Sequence, residues 1–473
     1  MRIERDSMGD VYVPEDALFG AQTMRAIENF SISGHRIPRE VIRALAVIKS
    51  AAARVNSDLG LIDYELAEAI VTAAEEVIKG KHDTQFPVDI FQTGSGTSTN
   101  MNVNEVIANR ANMLLGGTPG DKRPVHPNDH VNLGQSSNDA FPSAMHMAAV
   151  EAMRSKLIPS LKLSIETIKK KSEEFDDIIK VGRTHLQDAV PIRMGQVFSG
   201  YLFQMDEGLR WTESVMEDLY PLALGGTAVG TGLNTHPMFG ARTIALIRDR
   251  TGIPFRESPN HFAAQASQDP LVRTSGVMRD LAVALIKIAN DVRWLGSGPR
   301  SGLGELSLPA VQPGSSIMPG KVNPVIAESL IMVCVQVMGM DAAVSMAGTW
   351  GAFELHTMLP LIIYDILFMI HILGNAIRNF TVKLVSGITV RTDMLRHMAD
   401  NSLGLAVVLA PTIGYDAAAK VAYKASSEGK TVREIALAEG IIDERSLDAL
   451  FSLRSLTEPG IPRIPRIQDV KLG

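Results

Sequence analysis

The sequence is poor in cysteine, in aromatic residues and in excess positive charge. Its 473 residues include one cysteine, Cys334, which excludes an intrachain disulfide, an all-cysteine zinc site and an iron–sulfur cluster held by several thiolates. Aromatic residues make up 5% and hydrophobic residues 45%, so we expect a globular protein with a mainly aliphatic core. Acidic residues outnumber Lys and Arg by 52 to 46, which gives no electrostatic basis for binding nucleic acid.

The N-terminus also lacks the apolar run of a secretory signal, because it begins with the charged sequence MRIERDSMGD. This favours a cytoplasmic location. Residues 359–377 are about long enough to cross a bilayer, but Asp365 and His371 interrupt them. Since ionisable residues are rare inside membranes, we expect a buried core helix there and no membrane partner.

Helix-permissive sequence dominates the middle of the chain. The five long stretches are residues 139–175, 196–219, 271–295, 323–346 and 353–384. Pro159 is expected to kink the first. Residues 326–346 are apolar on almost every face and must be surrounded by other helices. The pattern predicts a mainly α fold with a central bundle of five long helices, in a homo-oligomer that completes the covering of the fourth.

The two ends of the chain have shorter periodic segments, so three domains are predicted. They are a mixed N-terminal domain at 1–135, the central bundle and oligomer core at 136–388, and a small helical C-terminal domain at 389–473. The shorter helices are predicted at 39–55, 64–78, 102–115, 393–402, 415–427, 432–439 and 444–453, and the Pro-rich end is predicted to be an extended tail.

The strongest chemical signal is QPGSSIMPGKVNPVIAES, residues 312–329. Its glycines and prolines frame Ser315, Ser316, Lys321 and Asn323, and the loop exposes backbone N–H groups just before a helix begins. Such a loop suits an anion, because Lys321 adds a positive charge and Asn323 a neutral donor. The alternative is a surface turn with Ser and Asn caps.

Two further polar segments precede predicted helices. In TGSGTSTNMNVNEV, glycines and hydroxyls could approach a carboxylate, although a Gly-rich turn that caps a helix is the alternative. In HPNDHVNLGQSSND, Asn138 or Asp139 can cap the helix that follows. A metal site from His126, Asp129 and His130 is disfavoured, because Pro127 disrupts helical spacing and no His-Glu-x-x-His pattern occurs.

A fourth segment, KVGRTHLQDAVPIRMGQ, carries Thr184 and His185, which a Gly-Arg turn is predicted to expose. An unperturbed histidine has a pKa near 6.5, which suits proton transfer at neutral pH. A single histidine is nevertheless more often structural than catalytic.

Together these segments resemble the fumarase/aspartase superfamily. GSSIMPGKVNP resembles its signature, and the other segments, together with LALGGTAVGTGLNTHP and ANDVRWLGSGPRSGLGE, match class II fumarases in order and spacing. The resemblance covers essentially the whole chain. It implies a fumarase/aspartase-like fold and the reversible, metal-independent hydration of fumarate to (S)-malate in the tricarboxylic acid cycle. The reaction would pass through an aci-carboxylate, with no cofactor, in a homotetramer whose active sites are each built from three subunits.

The same resemblance implies roles for individual residues. Ser315 would be the base that takes the C3 proton of malate, and His185, with Glu328 as its partner, would move the proton on the water side. The residues implied to hold the substrate are Ser95, Gly96, Thr97, Ser136, Ser137, Asn138, Thr184, Ser316, Lys321, Val322 and Asn323. A second, non-catalytic dicarboxylate site would comprise His126, Pro127, Asn128 and Asp129.

Other activities stay open. Aspartase resembles this sequence too, but its counterpart of His185 is glutamine, so His185 favours water as the group added or lost. The sequence departs from the usual fumarase pattern at Ala352 and His356 in GAFELH, and at Val325 and Ile326 after the signature. These departures leave a substituted fumarate open as the substrate. A non-catalytic structural homologue is disfavoured, because all the reactive side chains named above are present.

Overall fold

The computed structural model describes residues 1–461 and is mainly helical. Residues 462–473, which include most of the predicted tail, lie outside the described residues. The helices are α1 (Ala21–Asn29), α2 (Arg39–Asp58), α3 (Tyr64–Ile78), α4 (Thr97–Leu114), α5 (Ser137–Ala152), α6 (Ile158–Glu174), α7 (Met194–Leu219), α8 (Phe239–Thr251), α9 (His261–Ala266), α10 (Asp269–Leu295), α11 (Val325–Ala347), α12 (Leu359–Lys383), α13 (Thr392–Asn401), α14 (Ala410–Ile413), α15 (Tyr415–Glu428), α16 (Val432–Ala438) and α17 (Glu444–Leu450).

The strands of the described chain form only small, two-stranded sheets. Four pairs are antiparallel: β1 (Arg2–Asp6) with β2 (Gly9–Val13), β3 (Ile179–Thr184) with β4 (Gln187–Arg193), β7 (Leu306–Ser307) with β10 (Thr389–Val390), and β8 (Gly351–Ala352) with β9 (Leu355–His356). One pair is parallel, β5 (Pro221–Leu222) with β6 (Arg256–Glu257).

The described chain forms two compact units. Unit 1 holds residues 1–160, 208–283 and 333–375, and unit 2 holds residues 161–207, 284–332 and 376–461. Helices α6, α7, α10, α11 and α12 each contribute residues to both units. The predicted three-domain division has different bounds and stays a prediction.

Unit 1 is organised around α2, which packs against α3, α5 and α8, while α4 packs against α3 and α1. The reason lies in the apolar faces of these helices, since Leu45 and Ile48 on α2 and Phe141 and Met145 on α5 are completely buried. These helices fix the positions at which α4 and α5 begin, and the predicted substrate-binding residues lie at those two positions.

Unit 2 contains the β3–β4 hairpin and a small helical core near the C-terminus. The hairpin packs against α13 and against the 3₁₀ turn Leu403–Val408. Val421, Ile435, Leu447 and Leu450 belong to one buried cluster contributed by α15, α16 and α17. The predicted C-terminal helices are therefore confirmed.

The long helices begin and end close to the predicted positions, with one exception. The first stretch is continuous, because α5 and α6 are joined by a π-helical turn, Met153–Leu157, whose flanking residues have α-helical φ and ψ. The chain stays helical past Pro159, as predicted, and the irregular turn lies just before the proline, which has no N–H to donate to it. The last stretch begins at Leu359 instead of 353, because the β8–β9 hairpin occupies the residues before it.

Among the shorter helices, α4 begins five residues before the predicted position, and α1, α8, α9 and the four-residue α14 were missed. The helices predicted at 39–55 and 64–78 are confirmed.

Two apolar segments, Val325–Ala347 and Leu359–Gly387, are long enough to cross a membrane by length and composition alone. The second is mostly buried inside the protein, and His371 within it lies 3.1 Å from Glu40 of α2. The predicted core helix at 359–377 is thus confirmed. On α11, Cys334 is fully buried, and burial raises its thiol pKa to about 12.

Candidate active site

The start of α4 presents the first group of predicted substrate-binding residues. Gly96 has φ +75°, and a Cβ at this position would collide with the ring of Phe141 on α5. Only glycine fits this left-handed conformation and close approach. The hydroxyls of Ser95 and Thr97 lie 2.8 Å apart on either side of it. Hydroxyls and unpaired helix N–H groups in this arrangement favour an anion.

The start of α5 presents the second group. Ser136 Oγ accepts a hydrogen bond from Asn138 N at 3.2 Å, and Asp139 Oδ1 accepts one from Ser136 N at 2.9 Å. This capping box makes Ser136 the N-cap instead of the predicted Asn138 or Asp139, while the predicted Asp139 caps the N–H of Ser136 from the third helical position. The other oxygen of Asp139 accepts from the N–H groups of Gly225 and Thr227 at 3.0 and 2.9 Å.

A buried polar network joins the two helix starts. Asn100 Nδ2 on α4 donates to Ser137 Oγ at 3.0 Å and to Asn132 Oδ1 at 3.3 Å. The Nζ of Lys49, from α2, donates to Asn132 Oδ1 and to Gln135 Oε1, both at 2.9 Å. Asn138 Nδ2 donates to the carbonyl oxygen of Ala228 at 2.8 Å. The predicted residues of unit 1 are therefore brought together.

Lys49 and Asp139 are both completely buried. Burial lowers the pKa of Lys49 to about 7, although the negative charge of Asp139 acts in the opposite direction. Burial raises the pKa of Asp139 to about 6, against its hydrogen bonds from backbone N–H groups. The charge of each group favours the charged form of the other, but Asp139 is stabilised mainly by its backbone N–H donors.

In unit 2, residues 314–323 form a closed loop. Gly314 N donates to Lys321 O at 2.7 Å, and Asn323 Nδ2 donates to Gly314 O at 2.6 Å. Inside the loop, Ser315 Oγ accepts the N–H groups of Ile317 and Met318 at 3.2 and 3.0 Å. Donors directed at a hydroxyl oxygen favour its deprotonated form, so the loop is built to make Ser315 more acidic than a free serine.

Lys321, Val322, Asn323 and Glu328 line one cavity of about 540 Å³, together with Trp294. This volume falls in the range of small-molecule sites. Glu328 reaches the cavity from the first turn of α11. Ser315 and Ser316 lie on the same closed loop but do not line this cavity.

His185 lies at the tip of the β3–β4 hairpin. His185 and Leu186 have φ +55° and +61°, and Thr184 pairs with Gln187 around them, which is a two-residue turn of the type that suits twisted hairpins. The predicted Gly-Arg turn is wrong, because Gly182 and Arg183 lie within β3. A non-glycine pair held at positive φ is a strained feature typical of functional sites.

The exposed His185 lines a second cavity, of about 590 Å³, which also includes Trp294. Among residues 1–461 no hydrogen bond links His185 with Glu328, so their predicted partnership stays a prediction. Thr184 is exposed beside His185 and lines neither cavity.

A buried ion cluster supports this hairpin. Glu305 is fully buried, accepts from Arg183 Nη1 at 2.5 Å and lies 3.3 Å from Lys180 Nζ. Burial lowers the pKa of Lys180 despite the nearby carboxylate. The cluster fixes the strand that leads to Thr184 and His185.

The predicted second dicarboxylate stretch forms a short wide turn in unit 1. His126 Nδ1 accepts the N–H groups of Asn128 and Asp129, both at 3.2 Å, so the other ring nitrogen is left as its donor. Pro127 is buried, whereas Asn128 and Asp129 are exposed. Burial lowers the pKa of His126, and Lys122 and His130 add to this effect. In the described part of the chain, no group of three or more His, Cys, Asp or Glu residues could hold a metal ion.

Sequence reasoning missed Lys49, Asn132, Gln135 and Glu305. Lys49 carries a usable signal, because it is a single charge within the mostly apolar run AVIKSAAA of α2. Asn132 and Gln135 lie inside a polar segment whose neighbours were identified, but their inward direction depends on tertiary packing.

Comparisons with known proteins agree with these observations. A family model described as lyase matches residues 9–339, and one described as the fumarase C C-terminus matches residues 405–458. The class II fumarate hydratase of Nitrosomonas europaea is 53% identical over 97% of this chain and 99% of its own length. That of Thermosynechococcus vestitus is 54% identical over 94% of this chain and 96% of its own.

Among solved structures, the class II fumarase of Schistosoma mansoni superposes with a TM-score of 0.94 at 42% identity, covering 96% of this chain and 99% of that one. The expected fumarase/aspartase-like fold is thereby confirmed. The chain therefore belongs to the class II fumarate hydratases, a family of lyases.

Proposed function

We propose that this chain catalyses the reversible hydration of fumarate to (S)-malate in the tricarboxylic acid cycle. The observation that carries the proposal is the closed loop 314–323, in which Ser315 Oγ accepts two backbone N–H groups next to Lys321 and Asn323. The names of the relatives, at about half identity over nearly the whole chain, point to the same reaction.

In the direction of dehydration, deprotonated Ser315 takes the C3 proton of malate. The electron pair of the C–H bond moves into the neighbouring carboxylate, which becomes an aci-carboxylate with two negative charges. Lys321, Asn323 and loop N–H groups stabilise this charge, and one well-placed donor contributes about 3 kcal/mol to lowering such a barrier. The C2–O bond then breaks, and His185, with Glu328 as its partner, delivers the proton that makes the leaving hydroxide a water molecule.

Mostly neutral groups would hold the two carboxylates of the substrate. The first set comprises the hydroxyls, amide and N–H groups of Ser95, Gly96, Thr97, Ser136, Ser137 and Asn138. The second set comprises Thr184, Ser316, Lys321, Val322 and Asn323. Short hydrogen bonds outweigh the net negative charge of the chain at contact distance, because salt screens the distant charges. The turn at His126–Asp129 would form a second, non-catalytic dicarboxylate site.

The working assembly is a homotetramer in which three subunits build each active site. Support comes from α11, where Met332, Val335 and Met346 are 67%, 59% and 71% exposed. Apolar side chains on one long helix call for a covering surface, and further copies of the chain supply it. Sedimentation velocity tests this assembly, and a monomer at assay concentration would contradict it.

The reaction needs neither metal nor cofactor in this proposal, and the protein works in the cytoplasm with a small dicarboxylate as its partner, without nucleic acid or membrane. The deciding experiment mixes purified protein with malate and follows the ultraviolet absorbance of fumarate, with and without a chelator. We expect equal rates. Strong inhibition by the chelator would contradict the metal-free mechanism.

The same assay separates the alternatives. Release of ammonia from aspartate without a signal from malate would make the chain an ammonia-lyase, and no reaction with either would favour a structural homologue. A methyl-substituted fumarate assayed in parallel tests the departures at Ala352, His356, Val325 and Ile326. We expect fumarate itself to be preferred.

A further inference from the structure

Lys49 is a fully buried lysine that the proposed chemistry does not use. It lies on α2, and its Nζ donates to the side-chain oxygens of Asn132 and Gln135, both at 2.9 Å. Both acceptors belong to the segment NLGQSSN, residues 132–138, which also carries Ser136, Ser137 and Asn138. A single side chain thus contacts the base of a segment that presents three predicted substrate groups.

The contacts of Lys49 are extended by Asn132. Its Oδ1 accepts from Lys49 and from Asn100 and Asn104, the latter at 3.2 Å. Its Nδ2 donates to the carbonyl oxygen of Gln135 at 3.1 Å, which closes the segment on itself. Since an amide oxygen with three donors has one favourable orientation, Asn132 is fixed in place.

Asn100 carries the link to the substrate side. Its Nδ2 donates to Ser137 Oγ at 3.0 Å. Because the Ser137 oxygen receives a hydrogen bond, its own O–H hydrogen is directed away from Asn100 and can be donated to a ligand. Ser137 is 8% exposed, so its hydroxyl has few other orientations.

The side-chain amide of Gln135 is likewise fixed by its hydrogen bonds. Its Nε2 donates to the carbonyl oxygens of Val131 and Leu133 at 3.2 and 3.3 Å, which leaves Oε1 for Lys49. The negative charge of the buried Asp139 favours the charged form of Lys49, and the oxygens of Asp139 accept from Ser136, Gly225 and Thr227.

We propose that Lys49 is a positioning residue, which holds Asn132 and Gln135 and, through Asn132 and Asn100, orients Ser137 toward a substrate carboxylate. This inference rests on the proposed function. A carboxylate held in this way is bound equally well in the ground state and in the transition state, so loss of the positioning should raise KM and leave kcat nearly unchanged.

The test compares Lys49→Met, which keeps the length of the side chain but removes its charge and its donors, with the wild-type protein. We expect the KM for malate to rise by about tenfold, as for the loss of one or two oriented hydrogen bonds, with kcat within about threefold of wild type. Lys49→Arg keeps the charge and the donors, so its KM should lie between the KM of the wild type and that of Lys49→Met. Calorimetric binding of succinate, a non-reacting dicarboxylate, should weaken in parallel.

The matched control is Ile48→Ala, an equally buried position on the same helix. It should lower the melting temperature and leave KM and succinate affinity unchanged. If Lys49→Met does not fold, Asn100→Ala breaks the same link without burying or removing a charge, and it should weaken succinate binding.

An unchanged KM and succinate affinity in both Lys49→Met and Asn100→Ala, with only a lower melting temperature, would overturn the inference. A wild-type protein without activity on malate would instead contradict the proposed function. Succinate affinity would then still decide the role of Lys49.

Discussion

The predicted substrate-binding residues of unit 1 and the predicted reacting residues of unit 2 are held in opposite ways. Ser95 and Ser137 are 6% and 8% exposed, and side chains from α2, α4 and α5 hold their surroundings together. His185 and Lys321 are exposed, and the backbone conformation of their own hairpin or loop positions them. Burial fixes the binding groups, whereas local backbone geometry presents the reacting groups.

This difference has a thermodynamic consequence. A buried polar network cannot lose one member without leaving another unsatisfied, so changes in unit 1 should affect stability and binding together. An exposed side chain on a closed loop can be removed with little effect on folding. Changes at His185 and at exposed side chains of the closed loop should therefore lower the rate and leave stability intact.

The largest effect is expected for Ser315→Ala. Without the proposed base, kcat should fall by about 10³-fold, within the usual range for a lost acid/base group, while the melting temperature should stay within a degree or two of wild type because the side chain lies in an exposed loop. Steady-state assays of fumarate absorbance measure kcat, and calorimetry measures the melting temperature. A large loss of stability would contradict the proposed difference between the two units.

His185→Asn should lower kcat by about 10²-fold or more as a lost proton-transfer group. Asparagine tolerates positive φ better than most residues, so the turn at the hairpin tip should survive. Circular dichroism checks the fold and the malate assay checks the rate. Turnover at the wild-type level would reassign His185 to a structural role.

In unit 1, Asp139→Asn should act mainly on stability. It removes a buried negative charge that favours the charged form of Lys49, and it weakens the acceptor for three backbone N–H groups. Weakening the acceptor of these N–H groups costs about 3 kcal/mol of unfolding free energy. Asp177→Asn is the matched control, because that side chain is 96% exposed, and denaturant unfolding should not distinguish it from wild type.

The smallest predicted effect concerns pH. His146 is buried on α5 with Nδ1 near the carbonyl oxygens of Leu219 and Pro221, and burial lowers its pKa to about 4. Above pH 6.5 the ring is neutral in both states. Below pH 6.5 the unfolded chain gains a proton that the folded chain does not, so this group destabilises the folded protein by about 2 kcal/mol between pH 7 and pH 5.

Asp139 and Asp365, whose pKa values burial raises to about 6, act in the opposite direction. The measurement is therefore the difference in unfolding free energy between wild type and His146→Gln at the two pH values. That difference should move in favour of the variant as pH falls. A constant difference would show that His146 titrates normally in the folded protein.

Much of the architecture could be predicted from the sequence, because apolar residues recur with a helical period along the long helices. The bounds of α7, α10 and α11 differ from the predicted ones by at most two residues. The start of α4 was placed too late, because its first turn is made of Ser, Thr and Asn, which read as loop residues until a neighbour such as Phe141 packs against them. Propensity is a weak guide where tertiary contacts decide.

The candidate site was predictable only in part. The polar loops singled out Ser315 and His185, and the motif resemblance supplied their roles. No spacing rule shows that His185 and Leu186 adopt positive φ. The direction of the Lys49 side chain likewise depends on acceptors more than eighty residues away along the chain. Such long-range polar contacts leave little trace in local sequence.

The single, deeply buried Cys334 has a practical use. Its thiolate is scarce at neutral pH, and no other cysteine occurs in the sequence. A cysteine introduced at Ile317, which is 83% exposed on the closed loop, would become the one fast-reacting thiol. The native chain is thus already a background for attaching a single fluorophore or spin label, with which movement of the loop could be followed as a dicarboxylate binds.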